Sequence, residues 1–106
     1  MFAEQLRRAV ELKDASTLAH LYWSKALIQL GKYPEAEKEL RQVIKLGGND
    51  VAMAYRFLGA LYNERGENKL AIEALEKYLS LAPKAKDADS VREIIKQLRT
   101  QSTSKQ

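Results

Sequence analysis

The sequence has no cysteine, one histidine, two prolines and no long apolar run in its 106 residues. Without cysteine there is no disulfide framework and no sign of a redox compartment. His20, the only histidine, cannot make a His/Cys metal site by itself. A hard cation could use carboxylates, but no loop carries the ligand spacing such an ion needs. The lack of a run of about 18 apolar residues excludes a helical membrane span. Met1 to Arg8 lacks the succession of basic, apolar and small-residue segments that makes a secretion signal. The cytoplasm is therefore the expected compartment, with the periplasm open to a fragment of a larger protein. A glycine-rich phosphate loop, a nucleophile elbow and a spaced acid pair are all absent, so neither an enzyme nor a bound cofactor is expected.

The net charge is +4, from 18 basic and 14 acidic residues. The two signs are interspersed: Lys38-Glu39-Leu40-Arg41 and Glu73 to Lys77 read as solvated helix faces with local ion pairing. A nucleic-acid platform would need a basic stripe with aromatics for stacking, and none is visible.

What the sequence does contain is an internal repeat. Ala19, Gly31, Ala36, Leu40 and Leu46 recur 35 residues later as Ala54, Gly66, Ala71, Leu75 and Leu81. Tyr22 pairs with Phe57, Ser24 with Gly59 and Ile44 with Leu79. A period of 20–50 residues marks stacked units, none of which can bury its apolar face alone. The apolar spacing predicts helices over 2–13, 17–30, 35–46, 51–65, 68–81 and 87–99. Asp14 and Ser16 are candidate caps for the second of these, and Asp87 or a Ser90–Glu93 capping box for the last. Gly31 and Gly66 end helices, Pro34 opens one, and Gly47 to Asp50 breaks the chain between units.

The second copy reads Tyr55-x2-Leu58-Gly59-x2-Tyr62, Ala71-x3-Leu75, Pro83. This resembles the tetratricopeptide repeat, a helix–turn–helix unit of about 34 residues. The first copy is more degenerate, with His20, Trp23, Ser24 and Leu27, then Ala36-x3-Leu40, and Gly48 in place of proline. The resemblance implies an all-α, right-handed solenoid of about six helices. Residues 1–14 look like the second helix of a truncated unit. Residues 17–50 and 52–85 form repeats one and two, 86–99 a capping helix, and 100–106 a polar, frayed tail. Ser24 and Gly59 fall in a small-residue slot, with Ala36 and Ala71 expected to face them. His20, Trp23, Tyr62 and Tyr78 read as packing residues.

Function is implied by the family. Its solenoids bind protein partners in a concave groove lined by the first helix of each unit. The matching positions are Leu18, Leu21, Lys25, Ile28 and Gln29 in the first copy, and Met53, Arg56, Ala60, Asn63 and Glu64 in the second. Leu18, Leu21, Ile28 and Met53 would make an exposed apolar strip, flanked by Lys25 and Arg56 as possible carboxylate holders. One subtype clamps the acidic C-termini of heat-shock chaperones with lysine, asparagine, asparagine, lysine and arginine. Leu21, Lys25, Phe57, Asp87 and Val91 stand at those positions here, so that clamp is absent. The segment Tyr78 to Pro83 is similar to bacterial members of the family. The expectation is a non-catalytic module binding a protein or peptide, with no nucleic-acid partner. The alternative is a self-associating fragment, domain-swapped or stacked end to end, because two full repeats are fewer than such arrays usually need.

Overall fold

The computed structural model describes Ala3 and residues 16–104, and five helices account for the regular structure within 16–104. They are α1 (Thr17–Gln29), α2 (Tyr33–Leu46), α3 (Val51–Glu64), α4 (Asn68–Leu81) and α5 (Ala88–Ser104). No strand occurs among the described residues. The helix expected at 2–13 lies outside them except for Ala3, which is helical.

The helix ends follow from local chemistry. Ser16 caps α1, its Oγ accepting the Ala19 backbone N–H at 3.2 Å. Gly31 and Gly66 adopt φ of +77° and +75°. Each turn then closes in the same way. Lys32 N–H donates to Leu27 O, and Glu67 N–H to Tyr62 O, both at 2.9 Å. Gly31 N–H donates to Ile28 O, and Gly66 N–H to Asn63 O, both at 3.0 Å. This is the Schellman closure, which satisfies carbonyls left open at a helix end and needs a residue tolerant of positive φ. The helix-turn-helix unit thus occurs twice with one turn chemistry.

Two boundaries move by more than one residue, and one cap differs from expectation. α2 begins at Tyr33, two residues early, with Pro34 in the first turn where its missing N–H costs nothing. α5 runs to Ser104, so residues 100–104 continue the helix instead of forming a frayed tail; Thr100 Oγ1 donates back to Lys96 O at 3.0 Å. Ser90 lies inside α5, so no capping box forms there. Asp87 does supply the first carbonyl, which accepts the Val91 N–H at 2.9 Å, while its side chain is engaged elsewhere.

Packing is sequential. α1 lies on α2 and α3 on α4 within the units, while α2 meets α3 and α4 meets α5 between them; α1 also touches α3. One apolar cluster runs through all five helices, with Leu27, Leu40, Leu61, Leu75, Val43 and Val91 fully enclosed. Each helix contributes only one stripe, so the core exists only when the helices stack. At Gly59 the nearest neighbour is Leu75, where Ala71 was expected. A Cβ added at Gly59 would lie 2.7 Å from Leu75 Cγ, so it is the Leu75 side chain that occupies the space. Ser24, fully buried, satisfies its hydroxyl by donating to Leu21 O at 2.6 Å.

Candidate functional site

α1 and α3, the first helices of the two units, carry the ten positions expected to line a groove. In α3 four of the five come together, without Met53. Arg56, Ala60, Asn63 and Glu64 line one shallow depression of about 180 Å³ with Gly59, Leu75 and Ile94. Their 4-3-1 spacing sets them on one side of the helix. The absence of a side chain at Gly59 exposes part of Leu75 as floor, and α5 closes the far edge through Ile94.

In α1 the expected strip is broken. Leu18 is 49% exposed and Met53 is 41% exposed, but Leu21 is only 3% exposed and belongs to the apolar core. Ile28 is half-buried against that core. A leucine at this point of α1 gains more from the cluster than a polar residue would, and the strip cannot run through it. Lys25 and Gln29 are exposed. The α1 sequence is apolar on nearly every side, as in a helix with neighbours all round.

Arg56 already has a carboxylate partner within the chain. Its Nε donates to Asp87 Oδ2 at 3.2 Å, and Tyr78 Oη donates to Asp87 Oδ1 at 2.5 Å. This cluster ties α3, α4 and the approach to α5 together. The hydrogen bond from Tyr78, with help from Arg56, holds the Asp87 carboxyl below its ordinary value despite some burial. The same bond pushes the Tyr78 phenol up.

A second cluster of the same composition joins the two units. Tyr62 Oη donates to Glu37 Oε2 at 2.5 Å, and Arg41 Nη2 reaches Glu37 Oε2 at 2.9 Å and Tyr62 Oη at 3.0 Å. Arg65 approaches Glu37 at 3.9 Å while pairing with Glu67 at 2.7 Å. Desolvation and the Glu37 carboxylate push the Tyr62 phenol up to about 12. The Tyr62 hydrogen bond holds Glu37 down. Sequence reasoning placed both tyrosines as packing residues and missed these clusters. The Glu37–Arg41 spacing of four residues was the one visible signal; the tyrosine partners are distant in sequence. His20 shows a related pairing, its Nδ1 lying 2.6 Å from Glu39 Oε2 on α2. No group of three potential metal ligands forms among the described residues. No described helix is long and apolar enough to cross a membrane.

Two helix–turn–helix units with matching glycine turns, a small slot at Gly59 and a shared core now stand beside a sequence match. The tetratricopeptide-repeat model matches residues 21–86, more than half of the chain. The chain belongs to the tetratricopeptide-repeat family. No curated protein matches it. The matched span covers nearly all of both units and ends at the approach to α5. Tetratricopeptide repeats are a scaffold fold whose general role is to mediate contacts between proteins.

Proposed function

We propose that this tetratricopeptide-repeat chain is a non-catalytic module that holds a peptide or helix of another protein along the first helices of its units. The observation that carries this is the depression formed by Arg56, Ala60, Asn63 and Glu64, with Ile94 as its far wall. Because Asp87 already neutralises Arg56, the polar groups left to choose a partner are the Asn63 amide and the Glu64 carboxylate. They favour hydrogen bonding and a cationic partner side chain over a bound carboxylate. Leu18 and Met53 supply exposed apolar contact on the same pair of helices.

The test is selection of binding peptides from a display library against the intact chain. Those peptides should bind Ala60→Arg at least about tenfold more weakly, since a long side chain there fills the depression. Helicity should be unchanged because Ala60 is only half-buried. Equal binding by the variant would remove the groove from the function.

Self-association is the second reading, and α1 favours it. Leu18 and Tyr22 are both nearly half exposed on a helix with almost no polar face. Light scattering of the parent and of Leu18→Glu separates the two readings. A concentration-dependent dimer lost in Leu18→Glu supports association through α1, and a monomer at all concentrations leaves the binding module alone.

A further inference from the structure

A second surface has its own chemistry. α4 and α5 meet along a cleft of about 380 Å³ whose lining includes Glu76, Leu79, Arg92, Ile95, Lys96 and Arg99. The three cations are spaced i, i+4, i+7 and so share one face of α5.

Comparison with α3 explains what that face is. At an offset of 34 residues the buried Ala54 and Leu61 of α3 fall on the buried Ala88 and Ile95 of α5. At the same offset Leu58 and Tyr62 become Arg92 and Lys96, and Gly59 becomes Glu93. Leu58 and Tyr62 are the residues that share a surface with Leu70 and Ala74 of the following helix. α5 therefore repeats the first helix of a unit, but its seat for a second helix is charged, with Arg92 and Lys96 in place of Leu58 and Tyr62, and Glu93 has closed the small slot. An apolar helix packed as α4 packs on α3 would bury unpaired charges there, which is strongly unfavourable. An acidic segment would not.

We propose that the α4–α5 cleft is a docking site for an acidic amphipathic helix of another protein, carrying carboxylates at i, i+4 and i+7. Its acidic edge pairs with Arg92, Lys96 and Arg99, and its apolar edge lies over Leu79 and Ile95. Arg92 currently pairs with Asp89 at 2.8 Å, and Arg99 pairs with Glu76. The Arg92–Asp89 pair is exposed, so exchanging it for a partner's carboxylate costs little. Lys96 has no ion pair among the described residues. A protein partner fits better than nucleic acid, because the lining has no aromatic for base stacking.

The probe is a labelled synthetic helix of about 20 residues, leucine and alanine on one side and glutamate at i, i+4, i+7 on the other. A twin carries glutamine at those positions. Fluorescence anisotropy should show the glutamate peptide binding at least about tenfold tighter, with the advantage shrinking as salt rises. R92E with K96E should abolish that advantage with helicity retained, since both side chains are exposed. K38E with K45E makes the same charge change on α2 and should alter binding by less than about twofold. Ala60→Arg should leave it unchanged, which separates this cleft from the groove of α3. Equal binding of the two peptides, or equal loss in the two double variants, overturns the proposal. So does a dimer of the parent that R92E with K96E dissociates, since the occupant would then be a second copy. Tighter binding of a single-stranded RNA of similar length through the same residues would overturn it as well.

Discussion

Gly59 shows how far a single position can be read. The repeat marks it as a small slot, because Ser24 stands at the equivalent place. What fills the slot could not be read from the pattern: the space is taken by Leu75, not by Ala71. Two effects oppose each other in Gly59→Ala. Alanine favours the helix by about 1 kcal/mol. Its methyl would lie 2.7 Å from Leu75 Cγ in a fully packed core, and overpacking typically costs about 1–3 kcal/mol. The methyl meets Leu75 at Cγ and not only at its flexible end, so the whole side chain must shift and the clash wins. The urea midpoint should fall, with a net loss of up to about 2 kcal/mol. A midpoint equal to the parent's would show that α3 and α4 separate freely at this point. Leu21 is the matching failure of sequence reading. Family position put it in the groove, and burial puts it in the core. A glutamate there would unfold the chain before it tested any binding, which is why Leu18, at the surface, is the informative site.

At the scale of elements, the periodic stretches were legible because each helix buries a stripe and the first four stop at or just before a glycine or proline. The reach of α5 was not. Residues 100–104 are polar, and nothing in their composition distinguishes a helix continuing in solvent from a tail. The contacts that hold α5 were partly legible. Val91, Ile95 and Leu98 are buried, whereas Ile94, which shares their spacing, is half-buried and turns toward the α3 depression. Ile95→Lys with Leu98→Lys removes two buried side chains, each worth about 1.5–3 kcal/mol, and asks two ammonium groups to replace them. α5 should detach. Circular dichroism would then show the loss of most of a 17-residue helix, and the exposed face of α4 would promote aggregation. Helicity and solubility equal to the parent's would mean that α5 does not depend on this contact. Asp87→Asn tests the polar tie at the other end. It leaves Tyr78 and Arg56 without their carboxylate, and a loss of about 1–2 kcal/mol is expected in the same measurement.

The whole molecule is a stack, so what joins one helix layer to the next governs its response to conditions. Two tyrosine–carboxylate–arginine clusters do this: Glu37 with Tyr62 and Arg41 between the units, and Asp87 with Tyr78 and Arg56 at the approach to α5. Both carboxyls are held below their ordinary values of 4.5 and 3.8 in the folded chain. A carboxyl depressed by folding contributes stability that is complete above its unfolded value and lost as pH falls through the folded one. Both phenols are raised from 10.0, Tyr62 to about 12. A raised phenol contributes stability that is complete below 10 and is lost as pH climbs through its folded value. The urea midpoint should therefore form a plateau across neutral pH. It should decline on the acid side from about 4.5 downward and on the alkaline side between 10 and about 12. Glu37→Gln should lie below the parent on the plateau, with the gap closing as the acid limb is descended, because the parent then loses what the variant never had. Tyr62→Phe should flatten the alkaline limb in the same way. The parallel result for both variants is what the geometry requires, since Glu37 and Tyr62 share one hydrogen bond across the boundary between units. If Glu37→Gln keeps a constant gap at all pH values, the carboxylate does not join the units, and the stack is held by its apolar contacts alone.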